Sequence, residues 1–324
     1  MLYTDPVYGH IELHQPVLLD LIHSPAMQRL RGVLQHGISA LIGITSPTTR
    51  FDHSLGVMLL TRRLGASLDE QIAALLHDVS HTAFSHVIDY VFHSHVSQGY
   101  HEQEKAAYVA GTDLPQILAE YGYDWKILID EERFSILEQP APALCADRLD
   151  YFLRDSLDLN LAAASEVDSA LDALAVEQGR VVVTDLDVAR WLGYTFIQAD
   201  KASWANFREV GLYELTARAI RRGLEIGIIS EADLWGTDLP LWEKLQASSD
   251  STLQQWLQKV NPSTRFVRDR EAPTFRVSTK LRTIDPPVLI NGEVKPLSKL
   301  DLRFARYRRN YLSTKGGEWS MRVC

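Results

Sequence analysis

Cysteine is scarce in this chain, since only Cys145 and Cys324 occur among its 324 residues. They lie far apart and argue against the disulfide framework that staples many small secreted domains. The chain also lacks an uninterrupted apolar run of the roughly 18 residues that a membrane-spanning helix needs. Its first ten residues, MLYTDPVYGH, contain neither the basic nor the apolar segment of a secretory signal. We therefore expect a cytoplasmic protein without a membrane span.

The chain also has fewer basic residues than acidic ones. The sequence has 33 Lys and Arg residues against 42 Asp and Glu residues, which gives a net charge of −9 at pH 7. A balance of this sign argues against a general nucleic-acid binder. A substrate that carries phosphates would need a local cluster of cations, or a metal ion, to offset the unfavourable overall field.

Helical periodicity dominates the first two thirds of the chain. Apolar residues recur at helical spacing between residues 15 and 225, with polar loops at 46–50 and 93–100 and a short strand at 177–185. After residue 230 apolar and polar residues alternate, and Asn291-Gly292 is a strong hairpin-turn signal. The sequence predicts a mainly α protein, with a helical core at residues 1–229 and a smaller C-terminal α+β appendage at 230–324.

Histidine is confined to the first third of the chain, and the stretch HDVSHTAFSH alone holds three of the eleven. It begins with His77 and Asp78 at a predicted helix end, while His53 begins an earlier predicted helix and Asp147 lies on a later one. Two imidazoles and two carboxylates suit a divalent transition metal, because such mixed ligands favour Mn, Fe, Co, Ni or Zn over Ca. A lone His-Asp dipeptide is more often an ordinary helix-end pair, so the metal hypothesis depends on the wider pattern.

The wider pattern consists of five segments that occur in a fixed order. They read DPVYGHIELHQPVLLDLIHSPAMQRLRGVLQ, TRFDHSLGV, LLHDVSHTAFSHV, HEQE and ADRLDYFLRD. This succession resembles the HD-domain phosphohydrolase superfamily and is most similar to its branch of dGTP and dNTP triphosphohydrolases. The resemblance covers about residues 5–156. It implies an HD-domain helical core, a homo-oligomeric assembly and metal-dependent hydrolysis of nucleotides.

The resemblance also implies individual roles. It makes His53, His77, Asp78 and Asp147 the ligands of one divalent transition metal, and it turns His81, His86, His101 and Arg50 towards the substrate phosphates. Chemistry supports the second group, because an imidazole can transfer a proton near neutral pH and a guanidinium can clamp two phosphate oxygens. The competing interpretation is a set of partly buried histidines with ordinary hydrogen bonds and a surface ion pair for the arginine.

Further positions match family residues that contact the rest of a nucleotide. Gln35, Arg148, Tyr151 and Asp155 fall at positions that bind sugar and phosphate, whereas His36 stands where the human dNTPase of this branch has a leucine that excludes a ribose 2′-hydroxyl. A polar ring there would admit a different sugar. The segment ASWANFREVGLYE lacks the family's Tyr-Gln/His-Lys run, so no contact is carried over to it. In the helix of Asp155 we expect Arg154 and Asp158 to form a solvated face.

The leading hypothesis is therefore a metal-dependent phosphohydrolase that splits a (deoxy)nucleoside triphosphate into nucleoside and triphosphate. One Mn, Fe, Ni, Co or Zn ion per site is expected, with Mg²⁺ as a candidate ion for the substrate phosphates. The alternatives are an HD phosphatase for another phosphoester and a non-catalytic nucleotide sensor. A di-iron oxygenase is disfavoured because no histidine after residue 101 is available for a second iron. The basic segment KLDLRFARYRRN either binds phosphate or nucleic acid, or forms a solvated helix with a packed aromatic face.

Overall fold

The computed structural model describes residues 1–92 and 99–324. Most of the polar loop predicted at 93–100 lies outside the described residues. The predicted fold class is confirmed, because helices dominate and the strands form only small sheets. Among the described residues, no helix combines the length and the apolar character that crossing a bilayer requires.

Helices form most of the chain up to about residue 257 and return near the C terminus. Their bounds are α1 Pro16–His23, α2 Pro25–Arg29, α3 Ile38–Leu41, α4 Arg50–Arg63, α5 Leu68–Leu76, α6 Val87–Val91, α7 Tyr100–Ala110, α8 Leu114–Glu120, α9 Trp125–Leu128, α10 Ala146–Asp158, α11 Ala164–Asp172, α12 Leu186–Ala202, α13 Phe207–Glu225, α14 Glu231–Leu234, α15 Asp238–Gln246, α16 Ser251–Leu257, α17 Leu297–Leu300 and α18 Leu302–Lys315. Two short 3₁₀ turns lie at Leu30–Gly32 and Glu131–Arg133.

The strands form three small sheets. Their bounds are β1 Leu2–Asp5, β2 Gly9–Glu12, β3 Leu174–Glu177, β4 Arg180–Val183, β5 Phe266–Arg268, β6 Phe275–Val277, β7 Pro287–Ile290, β8 Glu293–Pro296 and β9 Trp319–Val323. The sheet orders are β1-β2, β3-β4-β7-β8 and β5-β9-β6. The predicted hairpin turn is confirmed, because Asn291 and Gly292 join β7 to β8 with φ angles of 51° and 81°.

The C-terminal region packs against the earlier helices at several places. Val183 of β4 pairs with Val288 of β7 in parallel, so one sheet contains strands from both sides of residue 230. Ile284 and Phe304 are fully buried in the same apolar cluster as α4, α5 and α10. The division into 1–229 and 230–324 stays a prediction.

The basic C-terminal segment forms helix α18. Phe304 and Tyr311 on this helix are buried, whereas Arg303, Arg306 and Arg309 are exposed. The helix therefore has a packed aromatic face and a solvated cationic face, as the second of the two sequence interpretations predicts.

Helix α4 is a largely buried element of the functional region. A capping box between Thr49 and Asp52 fixes its first turn, because each side chain accepts the other residue's backbone N–H. Eleven of its fourteen residues are buried, and it packs against α5 and α10. Its enclosure holds the first turn of the helix at a fixed place beside α10.

A buried ion cluster joins the N-terminal hairpin to α10. Arg154 donates to Asp5 and to Asp150 at 2.8 Å each, and Tyr8 donates its hydroxyl to Asp150 at 2.8 Å. The expectation that Arg154 lies on a solvated face is wrong, since only 4 % of it is exposed, whereas Asp158 is exposed as predicted. Two buried carboxylates compensate the charge of the guanidinium, which is the condition for burying it.

Gly56 of α4 gives a test of this cluster. A Cβ at this position would overlap Arg154 Nη2 and Asp150 Oδ1. We expect Gly56→Ala to lower the free energy of unfolding by about 3 kcal/mol, because the overlap forces the buried ion pair apart. Urea denaturation measures this. Gly111→Ala is the matched control, because its Cβ would meet its nearest neighbour at 3.5 Å, an ordinary contact distance. Equal stabilities of the two variants would contradict the prediction.

Candidate active site

A cavity of about 1000 Å³ lies where α4, α5, α7, α10 and the C-terminal region meet. All thirteen residues that the sequence singled out line it. They are Gln35, His36, Arg50, His53, His77, Asp78, His81, His86, His101, Asp147, Arg148, Tyr151 and Asp155. A cavity of this volume is at the upper end of the range that encloses small-molecule ligands.

The four predicted metal ligands come from three chain segments. His53 lies in the first turn of α4 and Asp147 in the first turn of α10. Helix α5 ends at Leu76, so His77 and Asp78 lie in the turn that follows it and not on the helix itself. Both side chains nevertheless reach the same region, since His77 Nε2 lies 3.5 Å from Asp78 Oδ1.

The distances among these side chains are short. His53 Nε2 lies 2.9 Å from Asp147 Oδ1 and 3.3 Å from His77 Nε2. His77 Nε2 lies 3.5 Å from Asp147 Oδ1 and 3.5 Å from Asp78 Oδ1. His53, His77 and Asp147 therefore each place a ligand atom within a space the size of one coordination sphere, whereas Asp78 adjoins them and also lies in a second cluster with His81 and His101.

Hydrogen bonds on the far side of each ring fix the imidazole tautomers. His53 Nδ1 lies 2.7 Å from Asp150 Oδ2, and His77 Nδ1 lies 2.8 Å from the Ala74 carbonyl oxygen. Ionised carboxylates and carbonyl oxygens only accept, so both Nδ1 atoms carry the proton and both Nε2 atoms of the neutral rings carry a lone pair. In the neutral rings these lone pairs face each other, and a cation between them, either a proton or a metal ion, compensates them.

This donor set fits a divalent transition ion. Ligand atoms about 2.1 Å from one ion at right angles to each other lie about 3.0 Å apart, which is close to the separations observed here. A carboxylate and a backbone carbonyl that accept from the outer ring nitrogens are the usual partners of metal-bound histidines. The residues present therefore fit the metal that the sequence predicts.

The carboxylates strongly favour positive charge at this point. Burial opposes protonation, but Asp78 and Asp147 raise the pKa of His77 to about 10. The pKa of Asp147 is lowered well below its usual value, since the adjacent imidazoles outweigh the effect of its burial. A metal ion would therefore displace protons when it binds.

A second group of histidines lies beside the first. The rings of His81 and His101 stack with centroids 3.8 Å apart, and the ring of His86 meets that of His81 edge-on at 5.1 Å. Burial and the positive charge of Arg50 lower the pKa values of His81 and His86 well below the usual range, so both rings are neutral at neutral pH. Neutral imidazoles can accept a proton.

Two local features bring these histidines into place. The chain does not continue as a helix to His81, and the consecutive left-handed residues Phe84 and Ser85, with φ of 61° and 50°, turn the chain before His86. The imidazole of His101 is oriented by the carboxylate of the next residue, because Glu102 Oε1 lies 3.0 Å from His101 Nε2.

Buried Lys105 holds this acid in place. Its ammonium group donates to Glu102 at 2.8 Å and also to Glu131. Only 3 % of Lys105 is exposed, so both carboxylates are needed to compensate its charge. The imidazole of His101 thus depends on a charge network that reaches from α7 to the 3₁₀ turn at Glu131–Arg133.

The two predicted phosphate-binding arginines already have partners in the protein. Arg50 is buried and donates to Asp78 at 2.7 Å and to the Ser85 hydroxyl at 3.0 Å. Arg148 donates to the Ala143 carbonyl at 2.8 Å and lies 3.3 Å from Glu138. Both guanidinium groups are therefore held rigidly at the cavity wall.

The predicted sugar-binding residues line the same cavity. His36 Nε2 lies 2.9 Å from one oxygen of Asp155, and Trp204 Nε1 donates to the other at 2.5 Å. The ring of Tyr151 meets that of Trp204 edge-on at 4.9 Å. Gln35 Oε1 is buried and accepts no hydrogen bond from the described residues, so a ligand or water is its natural partner.

Several cavity or supporting residues escaped the sequence analysis. They are Asp150, Trp204, Tyr213, Lys280 and Arg282. Asp150 could have been found, because it lies three positions after Asp147 on the same helix face. Trp204 and Tyr213 lie in the segment ASWANFREVGLYE, to which no family contact was carried over, and Lys280 and Arg282 belong to no motif, so only the fold places these four at the cavity.

Comparison with known proteins identifies the family of this chain. A family model for the HD domain matches residues 50–155. A metal-dependent phosphohydrolase, cns2, of Cordyceps militaris is 37 % identical over 303 residues, covering 91 % of this chain and 87 % of that protein. The uncharacterized protein YdhJ of Bacillus subtilis is 38 % identical over 293 residues, covering 90 % and 89 %. The deoxynucleoside triphosphate triphosphohydrolase SAMHD1 of Danio rerio is 40 % identical, but over only 28 % of this chain and 17 % of its own length.

Solved structures share the fold at low sequence identity. A hypothetical protein from Aquifex aeolicus aligns with a TM-score of 0.71 and 20 % identity, covering 100 % of this chain and 96 % of the other. A phosphohydrolase from Bacteroides thetaiotaomicron aligns with a TM-score of 0.65 and 18 % identity, covering 100 % and 99 %. Together with the relatives that match nearly the whole sequence, these findings identify the family: the chain belongs to the HD-domain metal-dependent phosphohydrolases.

Proposed function

We propose that this phosphohydrolase acts on a nucleoside triphosphate and releases nucleoside and triphosphate. The observation that carries the proposal is the convergence, in one cavity, of the four metal-ligand candidates with the three histidines and two arginines predicted to face phosphates. The aromatic and polar wall of Tyr151, Trp204 and His36 suits a base and a sugar. The partial similarity to a deoxynucleoside triphosphate triphosphohydrolase supports the same class of substrate.

In this proposal the residues have different roles according to their position in the cavity. His53, His77, Asp78 and Asp147 hold one divalent transition ion, which when bound supplies Lewis-acid polarisation of a phosphoryl group and a lowered pKa of water. Asp150 orients the ring of His53 through the Nδ1–H hydrogen bond. Mg²⁺ on the substrate phosphates and a homo-oligomeric assembly stay predictions.

The neighbouring histidines serve proton transfer. Hydrolysis joins a water oxygen to the α-phosphorus and breaks the bond from that phosphorus to the sugar 5′ oxygen. The water must lose a proton and the departing 5′ oxygen must gain one. We assign this transfer to the group of His81, His86 and His101, because its imidazoles adjoin the metal-ligand candidates and include neutral rings.

The reaction is tested by product identity. We expect the metal-loaded protein to turn over at least one nucleoside triphosphate and to release nucleoside and triphosphate in equal amounts, measured by anion-exchange chromatography across ribo- and deoxynucleotides. Mn²⁺, Fe²⁺, Co²⁺, Ni²⁺ and Zn²⁺ are compared. Orthophosphate as the sole inorganic product would replace the proposal with a stepwise phosphatase. A protein that binds nucleotides but hydrolyses none with any metal would be a sensor.

The metal ligands are tested with His77→Ala. Because this change removes one of two imidazole donors, we expect the affinity for the transition ion to fall by more than about 100-fold and hydrolysis to fall with it. Elemental analysis after dialysis measures the bound metal, and circular dichroism checks the fold. His23→Ala is the control, since His23 is exposed and lies outside the cavity. A variant that keeps a full equivalent of metal would refute the assignment.

The pair of His36 and Asp155 makes stability depend on pH. Burial opposes its charge, but the Asp155 carboxylate raises the pKa of His36 to about 9, above the value of about 6.5 of an unfolded chain. The stabilisation from the pair is therefore complete below about pH 6.5 and is lost as the pH rises through 9.

We expect wild-type stability to fall by up to about 3 kcal/mol more than that of His36→Gln between pH 6.5 and 9.5, because glutamine does not titrate. Urea denaturation at several pH values gives the two slopes. His14→Gln is the control, since its side chain is 70 % exposed, and its slope should match the wild type. Parallel slopes for wild type and His36→Gln would show that the pair is not ionised.

A further inference from the structure

One wall of the cavity comes from a part of the sequence without any recognised motif. Residues 279–285, here called the strap, connect β6 to β7, and Lys280, Leu281, Arg282 and Thr283 line the cavity. The metal-ligand candidates lie more than a hundred residues earlier in the chain. The strap is therefore the contribution of the C-terminal region to the site.

The strap is hydrogen-bonded to the rest of the protein at several points along its length. Four hydrogen bonds tie it to the rest of the protein: Tyr90 hydroxyl to Thr279 Oγ1 at 3.3 Å, Arg282 N–H to Asp200 at 3.0 Å, Arg308 Nε to Thr283 Oγ1 at 3.0 Å and Asp285 N–H to the Pro142 carbonyl at 2.9 Å. Ile284 is fully buried and anchors it in the apolar core. These bonds use the backbone and the hydroxyl groups, so the cationic side chains are presented from a fixed support.

Lys280 differs from the other cations of the cavity. Arg50 and Arg148 donate to Asp78 and to Ala143 within the protein. In the described parts of the chain no carboxylate lies within 4.0 Å of the Lys280 ammonium, and the residue is exposed. Its charge is therefore available to a ligand in the cavity.

The electrostatic surroundings of Lys280 are those of an anion site. Desolvation, then the charges of Arg282 and Arg148, lower the pKa of Lys280 against the opposing effect of Asp147 and Glu138. The charge of Arg282 also acts on His86 and Tyr151, which line the same cavity. Cations that repel one another across a shared space are stabilised when an anion with several charges fills it.

We propose that Lys280 and Arg282 of the strap bind phosphates of the substrate and add to the cations of the cavity, so that the site prefers substrates with a chain of two or more phosphates over monophosphates. This inference rests on the proposed function for the identity of the ligand. A chain with net charge −9 has to supply local cations for such a substrate, and the strap adds two to the two arginines of the helical region.

The test compares Lys280→Glu with Lys299→Glu, a matched charge reversal at an exposed lysine of the same region outside the cavity. Binding of Mg²⁺-saturated inorganic triphosphate and of orthophosphate to the metal-loaded protein is measured by calorimetry. We expect Lys280→Glu to weaken triphosphate binding at least about tenfold and orthophosphate binding less than about twofold, because the anion with several charges depends most on the number of cations in the cavity. Lys299→Glu should change neither.

Steady-state kinetics extends the test to nucleotides that share base and sugar. Lys280→Glu should raise KM for the triphosphate by at least about tenfold, and by several times more than KM for the monophosphate, whereas Lys299→Glu should leave both KM values unchanged. Equal losses for all phosphate lengths, an unchanged triphosphate affinity, or a wild type that does not bind triphosphate would overturn the inference. Strap-dependent triphosphate binding without hydrolysis of any nucleotide would support the strap and overturn the proposed function.

Discussion

The hydrogen bond from His53 to Asp150 is the interaction on which both the fold and the site depend. Asp150 accepts the Nδ1–H of His53 at 2.7 Å and is itself held by Arg154 at 2.8 Å. Through the same arginine the network reaches Asp5 in the N-terminal hairpin. The tautomer of His53, and hence the lone pair that its Nε2 offers to a metal, is therefore set by buried charges that also fasten α4 to α10. Because both partners are buried, a change in either one alters packing and chemistry together.

Two groups of histidines in one cavity have opposite electrostatic surroundings. Next to Asp78 and Asp147, the carboxylates raise the pKa of His77 to about 10 in spite of burial, so this position favours a cation. A few ångströms away, burial and Arg50 lower the pKa of His81 and keep its ring neutral. Environments that push similar groups in opposite directions are characteristic of sites that separate charge binding from proton transfer. The same short stretch of sequence thus supports two chemical tasks.

The candidate residues for the metal and the phosphates could be singled out from the sequence, because they lie in short ordered motifs. His53, His77 and Asp147 lie together in the structure, whereas Asp78 is grouped with His81 and His101, and the assignment of all four to one metal stays a prediction. Arg154 was misjudged, since helical spacing alone cannot tell that the N-terminal hairpin covers that face of α10 with Asp5. Lys280 was missed because it lies in a segment without periodicity, and its place depends on how β6 and β7 are anchored far from the motifs.

The amino-acid sequence alone predicts the mainly helical fold class, the hairpin at Asn291 and the chemistry of the metal-ligand candidates. These follow from local signals, namely apolar spacing, turn residues and the donor atoms of each side chain. Only the folded chain determines which histidine lone pairs face each other, which histidines are neutral and which cations of the C-terminal region line the cavity. Those properties depend on burial and on distances of a few ångströms between residues far apart in the chain, such as His36 and Asp155. Coulomb energies and desolvation change steeply over such distances, so only the folded chain can set them.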